Sequence, residues 1–295
     1  MKNKDAYIFL EEFIKDCLDG NINNLKNFCF LDLKKSNEFI HYKDIKNELK
    51  LKYGNNKDEN EDPDNMEIVK AIFLIIYENI IPKFNDTNSI GAPPEEEIRY
   101  RGDTINTFNT LFNDGEVNGK FAFEEEYKDD SKFIEDIKLF RQKAFTIGNM
   151  ILLPNHTIEF SPKIFQSLNT YRGTISGWND YFEKFLIELW NIINNRGNID
   201  SRLTMLVEKN NFYFDTYKKN FKKFIKHNYL ENYINENNYP KQELAPYYHY
   251  NKNLYDTKDE FISFGKLYIK TSIERIEERT DKIIEALKQN KNALL

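Results

Sequence analysis

The sequence predicts a mainly α protein: a helical bundle with a small non-helical, short strand or loop insertion around residues 145–175 and a long C-terminal helix. Three observations carry that prediction. Apolar residues recur at helical spacing through most of the chain. Ile147 to Leu153 is a short apolar run framed by Gly148 and Pro154, where the helical period stops. Phe261 to Leu287 sustains one apolar stripe without a break. At 295 residues, with 40% hydrophobic and 15% aromatic content, the chain has enough apolar mass for a sizeable core, which excludes wholesale disorder. Three regions are expected: 1–84, helical with an acidic loop at 54–65; 85–196, bearing the motifs; and 197–295, with a basic helix and the long terminal helix. They form one compact unit or separate domains.

In chain order, Ala6 to Leu18 sets Tyr7, Leu10, Ile14, Cys17 and Leu18 on one stripe and predicts an amphipathic helix. Asn37 to Leu51 predicts a second, with Ile40, Ile45 and Leu49 among charges. Gly54 to Asn65 has no apolar residue and reads as an acidic surface loop. Met66 to Ile81 is apolar on most faces, a buried helix that ends near Pro82. Asp103 is placed to cap a helix from Thr104 to Phe112. Asp136 to Phe145 reads as helix, and Trp178 to Ile193 as a longer one opened near Ser176. Phe212 to Asn228 and Leu230 to Asn237 follow, and a helix from about Lys258 to Gln289 closes the chain.

Composition narrows the setting. The net charge of -6 argues against affinity for nucleic acid over the whole surface. Cys17 and Cys29 are too few for a disulfide framework, so the cytoplasm is the expected compartment. The longest apolar stretch, Ile68 to Ile81, is interrupted by Lys70, Glu78 and Asn79 and falls short of the roughly 20 residues a membrane span needs, so no membrane partner is expected. The preference for Lys, Asn, Ile, Phe and Tyr over Arg, Ala and Gly is that of an AT-rich genome, so a bacterial or phage source is expected.

Two constellations stand apart from the helical pattern. The first is Arg101, Asp103, Thr104 and Asn106 in RYRGDTINTFN. Arginine offers a planar fork to phosphate or carboxylate, and an adjacent aspartate orients it or holds a metal. The bland alternative is a helix cap beside a surface ion pair. The second is Gly148, Asn149, Pro154, Asn155, Asn169, Arg172 and Gly173, in FTIGNMILLPN and SLNTYRG. Its spacing is similar to the second half of a ββα-metal nuclease. That similarity implies a loop-fixing role for Asn149 and a metal-site role for Asn169. Such an enzyme also needs a histidine base upstream, and Phe133 to Thr146 contains none; His156 falls on the wrong side. Asp103, Asn149 and Asn169 are therefore the candidate catalytic residues only under a divergent, divalent-metal nuclease or nucleotide-modifying reading. No other cofactor is implied, and no metal ligand set is assigned.

RYRGDTINTFN, FTIGNMILLPN and LNTYRGT, followed by the run Trp178 to Glu183, resemble a group of uncharacterised bacterial proteins carrying a domain of unknown function. The resemblance covers roughly Arg99 to Leu189. It implies a cytosolic bacterial or phage protein and supplies no activity. The first 90 and last 80 or so residues read as specific to this lineage.

A third feature is basic. Lys209, Lys218, Lys219, Lys222, Lys223 and Lys226 face only Asp215, while Phe214, Tyr217, Phe221 and Phe224 recur on the opposite side. The aromatics are expected in the core and Lys218, Lys219, Lys222, Lys223 and Lys226 in solvent. There they form a surface for phosphate contact or an ordinary solvated face. Phosphate cradles, nucleophile elbows and zinc spacings are absent from the sequence. The expected function is a binding protein, with a part in bacterium–phage conflict. Its central site would bind nucleic acid, nucleotide or a protein partner through Arg101, Asp103, Thr104, Asn106, Asn149, Asn155, Asn169 and Arg172. An enzyme and a protein-occluding inhibitor are the alternatives.

Overall fold

The structure, a computed structural model, describes residues 3–34, 45–54, 63–77, 80, 100–106, 116–117, 120–154, 158–161, 164–166, 182–197, 201–217, 220–244 and 257–294. It is mainly α and carries the long C-terminal helix that the apolar stripe predicts. Helix α1 (Asn3–Cys17) turns Ala6, Leu10 and Phe13 inward. Helix α2 (Asn47–Tyr53) is shorter than expected: Lys46 is extended and ends the helix on its N-terminal side, and positions 37–44 lie outside the described residues. The acidic loop is not wholly a surface feature. Pro63–Asn65 forms a 3-10 turn with Asp64 buried, while 55–62 lie outside the described residues. Helix α3 (Glu67–Tyr77) buries every residue from Ile68 to Tyr77 except Lys70, as a helix apolar on most faces must.

The non-helical part is larger than the insertion predicted at 145–175. Strand β1 (Tyr100–Thr104) comes first, then β2 (Glu116–Val117), β3 (Lys120–Phe121), β4 (Met150–Pro154), β5 (Ile158–Ser161) and β6 (Ile164–Gln166). They pair as three antiparallel two-stranded ladders, β1 with β4, β2 with β3 and β5 with β6. The expected cap at Asp103 is thereby overturned. Asp103 pairs with Ile151 and Thr104 with Met150, and the rest of the expected helix, 107–112, lies outside the described residues. The reason is main-chain accounting. β4 is buried along its whole length and its amides need partners, which a strand at 100–104 supplies and a helix would not. Asp103 Oδ1 instead accepts from the Thr104 amide at 2.9 Å.

Helices α4 (Ala122–Glu126) and α5 (Ser131–Ala144) follow, with Asp130 capping α5 through the Phe133 amide at 2.9 Å. Helix α6 (Phe182–Ile193) ends before Asn195 and Gly197, both at positive φ. The expected helix over Phe212–Asn228 is broken. After α7 (Ser201–Lys209), which precedes it, stand α8 (Asn211–Phe214) and α9 (Phe221–His227), the last restarted by Asn220, whose Oδ1 accepts from the Lys223 amide at 3.0 Å. Leu230–Asn237 is not a helix: Glu231–Tyr233 is one 3-10 turn, and Ile234 bridges Pro240. Helix α10 (Lys258–Leu294) runs 37 residues, about 55 Å at helical rise. No helix among the described residues is long and apolar enough to cross a membrane.

Helix α10 joins two apolar clusters. Its first half packs Tyr268, Ile269 and Ile276 with Phe123, Phe133 and Phe140 of α4 and α5. Its second half puts Ile283, Ile284 and Leu287 into a larger cluster that takes in α1, α3, β1, β4, α6 and the helices α7 to α9. Where α10 crosses the turn before β4, a Cβ on Gly148 would collide with Thr280 Oγ1 and the Ile276 carbonyl. Gly148→Ala is expected to destabilise the protein by about 2–3 kcal/mol in urea unfolding, because main chain on both sides must move. An unchanged midpoint would mean that the crossing is loose.

Candidate functional site

The motif residues that the structure places together form a buried polar chain. Asn149 ends the 3-10 turn Ile147–Asn149 and is wholly buried. Its Oδ1 accepts from the Asn106 main-chain amide at 2.8 Å and from Asn106 Nδ2 at 3.1 Å. Its Nδ2 donates to the Asn106 and Ala144 carbonyls, both at 2.8 Å. The Ile105 amide donates to the Asn149 carbonyl at 2.7 Å. Asn149 thus continues the β1–β4 ladder through its side chain, and all its amide hydrogens are engaged within the protein. Asn106 Nδ2 also donates to the Tyr233 hydroxyl at 3.1 Å, and Asn106 Oδ1 is the one group of the pair without a partner.

From Tyr233 the chain passes to α10. The Arg275 guanidinium lies 4.6 Å from the Tyr233 ring and donates to Glu183 of α6 at 2.7 Å and to Glu243 at 2.6 Å. Glu183 Oε2 accepts the Leu244 amide at 2.9 Å, so this buried carboxylate is bonded on both oxygens. One turn later, Arg279 is 0% exposed. Its Nε donates to the Asn228 carbonyl at 2.9 Å, and its Nη1 donates to Gly148 O at 2.8 Å and Met150 O at 2.6 Å. No carboxylate pairs with it among the described residues. Nearby, burial pushes the Tyr77 phenol up against the pull of the Arg279 guanidinium. Burial likewise raises Tyr213 and Tyr217.

The remaining predicted residues do not join this chain. Asp103 and Thr104 are half-buried on β1, and Arg101 sits there in register with Leu153. Asn155, Asn169 and Arg172 lie outside the described residues, as do Lys218 and Lys219. Lys222, Lys223 and Lys226 are exposed on α9, and Phe221, Phe224 and Ile225 anchor that helix in the core, as the spacing predicts. None of these three lysines has a carboxylate partner among the described residues. Burial first, then the ammonium groups of Lys223 and Lys226, hold the His227 imidazole below its ordinary pKa of 6.5. Among the described residues, no group of three or more His, Cys, Asp or Glu side chains is arranged to hold a metal ion.

Arg275, Arg279, Tyr233 and Glu183 escaped the sequence reading as site residues. One signal was present: Arg279 falls three residues after Ile276 and four before Ile283, inside the apolar stripe of α10, where a solvated arginine does not belong.

Fold and site together define a mainly α protein organised by two arginines of its terminal helix. Residues 105–283 match the model described as a family of unknown function, DUF6994, and the chain belongs to that family. The match takes in the whole polar chain from Asn106 to Arg279 and begins after Arg101, Asp103 and Thr104. It also reaches far into the C-terminal stretch read as lineage-specific, which corrects that expectation. No curated protein and no solved structure matches the chain.

Asn149→Ala would strand the Asn106 amide and two buried carbonyls without partners. A loss of about 3 kcal/mol is expected in chemical unfolding. Asp103→Ala, on a half-buried strand position, is expected to cost less than 1 kcal/mol; a reversed order would overturn this assignment of roles.

Proposed function

We propose that the protein is a binding protein for a phosphate-bearing polymer, a nucleic acid, and that the lysine face of α9 makes the contact. The observation that carries this reading is the row Lys222, Lys223 and Lys226, exposed and without carboxylate partners among the described residues in a chain of net charge -6. Several lysines elsewhere are paired, Lys26 with Asp281 at 2.9 Å, Lys143 with Glu277 at 2.7 Å and Lys266 with Asp130 at 2.9 Å; the three on α9 are distinguished by lying close together on one short helix. Ammonium groups on a rigid helix suit backbone phosphates, which give affinity without sequence choice. The Asn106–Asn149 pair, whose side-chain amide hydrogens are all engaged within the protein, supports placing the contact on α9, with the motif region as its scaffold. The compartment we assign is the cytoplasm, which suits Cys17 and Cys29 as free thiols, both pushed up to about 12 chiefly by burial.

Binding to labelled oligonucleotides between 50 and 200 mM salt tests the reading. Log affinity is expected to fall linearly with log salt, with a slope of about −2 to −3 for three phosphate contacts. The combined Lys222→Gln, Lys223→Gln, Lys226→Gln variant should flatten that slope by about the same amount. Affinity that is absent, or indifferent to the three lysines, defeats the proposal.

The same face sets a pH readout. The positive neighbours disfavour imidazolium, so Lys223→Gln with Lys226→Gln should raise the His227 pKa toward 6.5 in an NMR titration. Bound phosphates should raise it in the wild type as well.

A further inference from the structure

Beside the lysine face lies a cavity of about 540 Å³, bounded by the end of α3, by Lys226 and Tyr229, and by α10 from Asp281 to Asn290. Its floor is apolar, made by Ile75, Ile76, Ile80 and Ala286, and its size falls within the range of small-molecule pockets. Three carboxylates line it, and each is already engaged. Glu231 pairs with Lys282 at 3.1 Å, Asp281 with Lys26 at 2.9 Å, and Glu285 with Lys288 at 2.6 Å. Lys282 is shared with Glu278 at 2.9 Å, and Lys226 is the lining ammonium without a carboxylate partner among the described residues, on the same short helix as Lys222 and Lys223.

Tyr229 is the aromatic wall. Its φ is +57° at the position after Asn228, the C-cap of α9, where glycine or asparagine is usual, and the Leu230 amide closes the turn onto the Ile225 carbonyl at 2.9 Å. A tyrosine there is disfavoured by its own backbone. What the position gains is a half-buried ring on the cavity, immediately beyond the lysines.

We propose that the cavity takes one unstacked base of a single-stranded nucleic acid. The base lies on the Tyr229 ring, and the flanking phosphates run along Lys226, Lys223 and Lys222. The inference rests on the lysine-face reading and narrows it: an apolar floor and an aromatic ring reward a base that has left its stack, which an intact duplex does not offer.

The test compares four probes by fluorescence anisotropy at 100 mM salt: a 12-nucleotide deoxythymidine strand, a 12-nucleotide deoxyadenosine strand, an abasic strand of equal length and charge, and a 12-base-pair duplex. The proteins are the wild type, Tyr229→Phe, Tyr229→Gly and the triple lysine variant. Glycine suits the positive φ, which offsets part of the packing that the half-buried ring makes against the core, so Tyr229→Gly should melt somewhat lower than the wild type while staying folded at the assay temperature. The wild type is expected to bind both base-bearing strands at least about tenfold more tightly than the abasic strand or the duplex. Tyr229→Phe should retain that preference and Tyr229→Gly should erase it. Equal binding of abasic and base-bearing strands, equal binding of duplex, or a preference that survives Tyr229→Gly overturns the inference. If the triple lysine variant still weakens every probe in those cases, the lysine-face reading stands without it. Absence of binding to all four probes overturns both.

Discussion

The buried guanidinium of Arg279 is the constraint on which the rest of the molecule depends. A cation removed from water without a counter-ion is costly by several kcal/mol, and main-chain carbonyls have to offset that cost through their dipoles. Those carbonyls come from Gly148 in the turn before β4, from Met150, which opens β4, and from Asn228, which follows α9. One side chain of α10 therefore fixes the start of β4 and the end of the basic helix relative to one axis. Gly148 lets the turn approach close enough for this to happen, since any side chain there would meet Thr280 one position beyond the arginine.

Arg275 extends the same arrangement in the other direction. It is held between Glu183 and Glu243 and stacked on Tyr233, and it binds α6 and the segment after α9 to the helix that Arg279 has already positioned. Through Tyr233 and Asn106 this reaches Asn149, so the two halves of the motif region meet at an asparagine pair anchored indirectly to α10. The family match spans these residues as a unit, which is the extent expected of a scaffold whose parts support one another.

The surface that contacts solvent is a consequence of that scaffold. Because the Asn228 carbonyl is held by Arg279 and Phe221, Phe224 and Ile225 are buried, α9 has one orientation. Lys222, Lys223 and Lys226 then point outward, and Tyr229 turns its ring to the groove against α3 and α10. Among the described residues, Asn106 and Asn149 of the motifs are inside, while Lys222, Lys223 and Lys226 are in solvent.

Helix type and position were legible in the residues themselves. The stripes of α1, α3, α6 and α10, and the lysine and aromatic sides of α9, follow from a period of 3.6 residues that each segment carries alone. The short apolar run Ile147–Leu153 announced a break in the helical period, a strand or a packed loop, and the strand is found at Met150–Pro154. The pairing of β1 with β4 was not legible, because Asp103 has the chemistry of a helix cap and only the buried amides of a strand almost fifty residues away make extension the better outcome. The partners of Asn106 and Asn149 were equally hidden: a loop-fixing role for Asn149 was implied by the nuclease similarity, but an asparagine followed by apolar residues also reads as a binding group until its partners are known. The sequence by itself determined the main helices α1, α3, α6 and α10 and their apolar faces, since those depend on neighbours a few residues apart. Only the tertiary structure decided which polar groups are saturated and which charges stand alone, because each such balance is made between residues distant in the chain and brought together by burial.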